Sequence, residues 1–305
     1  MKEYYTIDEK SQFFENGNLR FHRNLPDLFR IFDNMQEDDS KYIFRGRSEA
    51  KHMMYNSAQR YFSSKKAHRN LNPQLKQESY DNFIKSTLET CKYWNNGVIS
   101  KLMENSSINP RNDLALLSYM QHNEIPSPLL DFTLNPYIAL YFAIENINYS
   151  KGINEIDEYF SIYYTNIETV PFSSWAEVFN ENCFKEQILT YDQIKGNRLS
   201  LLSDNKVNYQ IVNNLNIINQ EGLFFYNSHH SEPIEISYLN YINKVKKYFS
   251  KKGIDKSEMR DTFCACCNIH KSKIPEIQDK LDEKGITSKL IKPNLEMLKK
   301  IIRNK

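Results

Sequence analysis

Leu28, Phe29, Phe32 and Met35 recur at three- and four-residue spacing and predict a helix. Residues 41–46 follow as a strand, because aromatic and β-branched positions precede a turn glycine. Residues 74–94 predict a helix with Phe83, Leu88 and Cys91 inward, and 113–121 another, its face set by Leu114, Leu117 and Met120 and its start capped by Asn112. Pro136 suits a first helical position, with Asn135 or Thr133 as the cap. Ile138, Ala139, Leu140, Phe142, Ala143 and Ile144 are apolar nearly all round, so a buried helix to about residue 147 is expected, with Ile138 and Phe142 in the core. Strands are expected at 158–164, 222–226, 234–239 and 262–267. A helix at 275–284 stopped by Gly285, a short strand near Leu290 and a helix at 294–302 complete the pattern. The class is α+β, a compact mixed sheet with flanking helices.

The chain has 305 residues, enough for a substantial core, and a net charge of +2, which gives no electrostatic argument for a general nucleic-acid or membrane binder. No apolar run approaches the roughly 18 residues of a membrane span, and the N-terminus is polar, so no membrane partner and a cytoplasmic location are expected. Eight glycines leave no glycine-rich phosphate loop, which removes P-loop and Rossmann nucleotide sites. Five cysteines, three of them at Cys264, Cys266 and Cys267, suit a reduced compartment. Cys264 and Cys267, with His270, His229 and His230 nearby, resemble half a zinc site, but adjacent Cys266 and Cys267 point to opposite strand faces and no second pair exists, so no metal is expected. The basic run 244–256, with Tyr248 and Phe249, reads as a solvated helix face and leaves nucleic acid open as a partner.

Chemistry concentrates in 121–136, where Gln121, His122, Asp131 and Thr133 sit among prolines and apolar residues with few charges. With Phe44-Arg45-Gly46 upstream, this block resembles the FRG domain family, named for that tripeptide: Gln121, His122, Pro126, Leu129, Leu130, Asp131, Thr133, Pro136 and residues 139–143 match its pattern. The departures are Glu124 for Gly, Pro128 for Arg and Phe132 for Trp. Residues 55–60, ending in Arg60, and Gln220 to Phe224 extend the resemblance over about 26–302, which implies a single domain spanning 1–305 with a short N-terminal extension.

Three features also resemble the ADP-ribosyltransferases: the aromatic-Arg-Gly strand at Phe44 to Gly46, the Asp131 to Thr133 element before the Ala139 to Ala143 helix, and Gln220-Glu221 ahead of a late strand. The resemblance implies an ADP-ribosyltransferase-like fold that binds NAD or a related nucleotide and transfers ADP-ribose to an unknown macromolecular acceptor, in a role such as phage defence or a toxin. Arg45, Gly46, Arg60, Gln121, His122 and Gln220 would then line the NAD site, with Glu221, Asp131 and Thr133 as the catalytic set. The residues admit plainer roles too. Arg45 and Asp131 could form a buried ion pair, Thr133 a helix cap, His122 a core histidine, Gln121 a loop ligand and Arg60 a solvated helix residue. A non-catalytic module for a nucleotide or a nucleic-acid end is the alternative.

Overall fold

The computed structural model describes residues 1–21, 25–37, 42–65, 70–105, 107–147, 152–167, 189–195, 199–202, 219–253 and 262–292. Its strands are β1 (Glu15–Phe21), β2 (Tyr42–Arg47), β3 (Leu129–Thr133), β4 (Tyr159–Asn166), β5 (Leu199–Leu202), β6 (Gly222–Asn227) and β7 (Ala265–His270). They form a seven-stranded sheet in the order β1-β7-β4-β2-β3-β6-β5, with β1 parallel to β7 and every other pair antiparallel. The flanking helices are α1 (Ile7–Ser11), α2 (Leu25–Glu37), α3 (Ser57–Ser64), α4 (Pro73–Asn105), α5 (Asp113–His122), α6 (Pro136–Ile144), α7 (Ile234–Lys251) and α8 (Ile274–Glu283).

Alternation along the strands sends side chains to two faces. One face carries Ile43, Leu130, Phe132, Tyr163, Phe225 and Cys266 beneath Ile7 of α1 and Ile234, Tyr238 and Ile242 of α7. The other face divides. Over β2, β4 and β7, Phe44, Ile162 and Cys267 pack against Leu28, Phe32, Ile138 and Ile277 of α2, α6 and α8. Over β3 and β6, Leu129, Phe224 and Tyr226 pack against Phe62, Tyr80, Leu88 and Leu117 of α3, α4 and α5. The two helical layers meet above the join of β2 and β3, which is registered only at Phe44 and Thr133. By contrast, β2 is registered with β4 at six positions and β3 with β6 at five. The sheet therefore opens into a gap between β2 and β3, away from that single pair.

Several expectations change. Residues 234–239 begin α7 instead of forming a strand, because Ile234, Tyr238 and Ile242 are four residues apart and all buried after Pro233 at the N-cap. Leu290 lies in a one-turn helix, Ser288–Ile291. Strand β7 starts at Ala265, and α6 ends at Ile144. Helix α4 breaks after the expected 94, with Asn95, Asn96 and Gly97 at positive φ, and then resumes. The cap of α6 is Asn135, whose Oδ1 accepts from Tyr137 N at 3.0 Å and Ile138 N at 3.4 Å. Ile138 is buried, whereas Phe142 is only half-buried. The N-terminal residues, read as an extension, supply β1 and bury Tyr4, Ile7, Lys10 and Phe14. The helix expected at 294–302 lies outside the described residues.

Cys91, Cys264, Cys266 and Cys267 are buried and form no disulfide, with Cys266 and Cys267 on opposite faces of β7. Among the described residues no group of His, Cys, Asp or Glu is placed to hold a metal, and no helix is long and apolar enough to cross a membrane.

Candidate functional site

A cavity of about 790 Å³ sits over the β2–β3 gap, between α5 and α6, lined in part by Arg45, Gly46, Gln121, His122, Asp131, Thr133 and Gln220. Helix α5 ends there because its apolar face runs out at Gln121 and His122, so both project past the core. Glu124, in the position of a family glycine, has a φ of +58°, a left-handed turn that glycine adopts without strain. That turn sends the chain through Pro126 and Pro128 into β3, which presents Asp131 and Thr133 on the cavity face. The adjoining wall comes from β2 and α6. A Cβ on Gly46 would fall on the carbonyl oxygen of Ala139 and lie 2.8 Å from Ala143 N, so glycine alone lets strand and helix approach this closely.

Arg45 reaches across the gap, and its Nη1 donates to the backbone carbonyl of Asp131. The expected contact with this segment is present, but as a carbonyl contact and not as the ion pair considered from sequence. The carboxylate is taken instead by Gln121, whose Nε2 donates to Asp131 Oδ2 at 2.6 Å. The Arg45 guanidinium lies 5.7 Å from the Phe132 ring, in cation–π range, and its Nε is buried without a partner. Burial, then the charge of Arg47, lowers its pKa to about 9 against the opposing pull of Asp131, so it stays protonated at neutral pH. His122 stacks edge-on to Phe224 at 5.4 Å, and its buried Nε2 also has no partner. Burial holds His122 below the ordinary histidine range, with Asp131 pulling the other way, so the ring is neutral at pH 7.

Thr133 Oγ1 donates to the Gln220 carbonyl at 2.6 Å and accepts from Asn135 N at 3.1 Å, which ties the cap of α6 to the start of β6. Gln220 Nε2 donates to the Ile291 carbonyl at 3.2 Å. Glu221 does not line the cavity. It is exposed, at a φ of +47°, and its Oε1 accepts from Asn135 Nδ2 at 3.1 Å. Arg60 is also outside the lining, with Nη1 donating to the Tyr55 carbonyl at 2.5 Å. Sequence reasoning missed Glu124, Phe142 and Lys292 as lining residues. Lys292 arrives from the far end of the chain and contacts Glu145, with no local signal to mark it.

A neutral imidazole, a guanidinium with unused donors and a carboxylate steadied by an amide can together hold an anionic ligand that also presents hydroxyl or amide groups. No curated protein and no solved structure matches the chain. Residues 40–152 match the model of the FRG domain family. The chain thus carries an FRG domain, and β2, α5, β3 and α6, which build most of the cavity wall, all lie within it.

Proposed function

We propose that the cavity binds NAD or a related nucleotide and that the protein is ADP-ribosyltransferase-like. The observation that carries this reading is the convergence of Arg45, Gln121, His122, Asp131, Thr133 and Gln220, spread over 176 positions of sequence from the first to the last, on one cavity of about 790 Å³. That volume falls in the range of small-molecule sites. The buried, partnerless Nε of Arg45 and Nε2 of His122 fit a polar ligand that would complete them.

Cleavage of a nicotinamide–ribose bond develops positive charge on the ribose, and a fixed carboxylate opposite that charge lowers the barrier. Asp131 and Glu124 both line the cavity, and of the two it is Asp131 whose orientation Gln121 holds. Glu221 lies outside the lining, engaged with Asn135. Arg45 anchors phosphate, and Thr133 fixes the wall by bridging Gln220 and Asn135.

Calorimetry with NAD, and nicotinamide release with and without cell lysate as acceptor, tests the reading. Arg45→Lys should weaken binding, because the fork geometry is lost while the charge remains. Asp131→Asn should abolish release and keep binding. No NAD binding by the wild type ends the proposal. NAD binding without release would favour the second reading, a non-catalytic nucleotide module, which the engagement of Glu221 with Asn135 supports.

A further inference from the structure

Arg47 has no part in the site described above, yet its surroundings are unusual. It follows Arg45 by two residues on β2 and so projects from the same face of the sheet. It stands at the end of β2 away from the Phe44–Thr133 pair, where the gap to β3 is open. Helix α3 closes in on that end. Asn56 Nδ2 donates to the carbonyls of Pro128 at 3.3 Å and Asn227 at 3.0 Å. Ser57 Oγ lies 3.2 Å from Gln121 Oε1, and Arg60 follows one turn later on the same helix.

The side-chain Nε atoms of Arg45 and Arg47 are both buried without partners. The three guanidiniums act on one another. Burial first and Arg47 second depress Arg45 to about 9 and Arg60 to about 10, which leaves both charged at neutral pH, and burial lowers Arg47 as well. The carboxylates that act on the cluster are Asp131 and Glu235. Both are committed: Asp131 to Gln121, and Glu235 to Tyr4 Oη at 2.8 Å and Met54 N at 3.1 Å. Clustered, desolvated cations with unused donors are unfavourable on their own, and an anion relieves both the repulsion and the missing hydrogen bonds.

We propose that Arg45, Arg47 and Arg60 form one phosphate-binding cluster at the open end of the β2–β3 gap, joined to the cavity through Arg45, and that the cavity's ligand carries two linked phosphate groups. The inference rests on the nucleotide reading only in its choice of a pyrophosphate-bearing nucleotide over a nucleoside monophosphate. Guanidinium forks suit this task because each presents paired donors to phosphate oxygens.

Thermal unfolding of the full chain in inorganic pyrophosphate, inorganic phosphate and sodium chloride at matched ionic strength gives the first test, since a ligand of the folded state raises Tm. Pyrophosphate should raise it most. Calorimetric titration of Arg47→Gln and Arg60→Gln with pyrophosphate and ADP-ribose should show binding at least about tenfold weaker than wild type. Should Arg47→Gln fail to fold, Arg60→Gln decides the matter. Pyrophosphate acting no better than sodium chloride, or wild-type binding by the folded variants, overturns the cluster. Arginine-dependent pyrophosphate binding without NAD binding sinks the NAD reading and leaves the cluster standing. NAD binding indifferent to Arg47 and Arg60 does the reverse.

Discussion

Gln121 and Asp131 are joined at 2.6 Å, amide to carboxylate, and this bond decides what Arg45 can do. With the carboxylate turned toward α5, the guanidinium meets only the backbone carbonyl of the same residue. The charge on Arg45 is thereby left for a ligand. Replacing Gln121 by Leu should strand the Asp131 oxygen and lower stability by about 1–3 kcal/mol. Urea unfolding measures it, and an unchanged midpoint at unchanged slope would remove Gln121 from this role.

Gly46→Ala should be more damaging than its size suggests. The added methyl meets backbone atoms of Ala139 and Ala143, which cannot rotate away as a side chain would, so β2 and α6 must separate. A loss of about 1–3 kcal/mol or more is expected, read as a lower Tm by circular dichroism. A melt identical to wild type would show that the strand and helix have slack.

At the start of α6, the two polar residues have separable tasks. Asn135→Ala removes the cap from Tyr137 N and Ile138 N and should reduce stability by about 0.5–2 kcal/mol. Thr133→Ala leaves that cap in place but cuts the link to Gln220, so it should reduce ligand affinity more than Tm. Equal losses of Tm in the two variants would contradict this division.

Acid should destabilise the protein through His230. Burial, then the charges of His229 and Lys76, lower its pKa from 6.5 to about 4 in the folded state. The unfolded chain therefore takes up a proton first as the pH falls. The contribution is fully present above about pH 6.5 and is lost as pH drops toward 4. Burial lowers His122 and His52 as well, and they act in the same direction. Urea midpoints across this window should decline, and His230→Asn should flatten the decline; a slope unaltered by that substitution would exclude His230 as a source.

Much of the site was legible because its parts are local. Phe44-Arg45-Gly46 and the 121–136 block each fix a turn, a cap or a close approach within a few residues, and these constraints leave a mark on sequence. The reading failed where the decisive contacts are remote. Ile234, Ile236 and Tyr238 alternate like a strand, and only by extending the window to Ile242 does the helical spacing appear. Lys10 looks like an ordinary surface lysine of a short helix. Its burial depends on Ala50, Ser161 and Asn268, which all accept hydrogen bonds from its Nζ at 2.6–2.9 Å. Arg47 and Lys292 likewise owe their positions to tertiary packing and to no motif.

The opening between β2 and β3 also alters how the sheet can be addressed by other molecules. An unpaired strand margin on the outside of a protein is a template on which a second chain can add a strand, a standing route to aggregation. Here the unpaired margin is internal, roofed by α5 and α6 and reached through the cavity. The Asp131 carbonyl on it is already met by Arg45, so the margin admits something narrow enough to enter the cavity and is closed to another polypeptide's β-ribbon, a break in the sheet without adhesion.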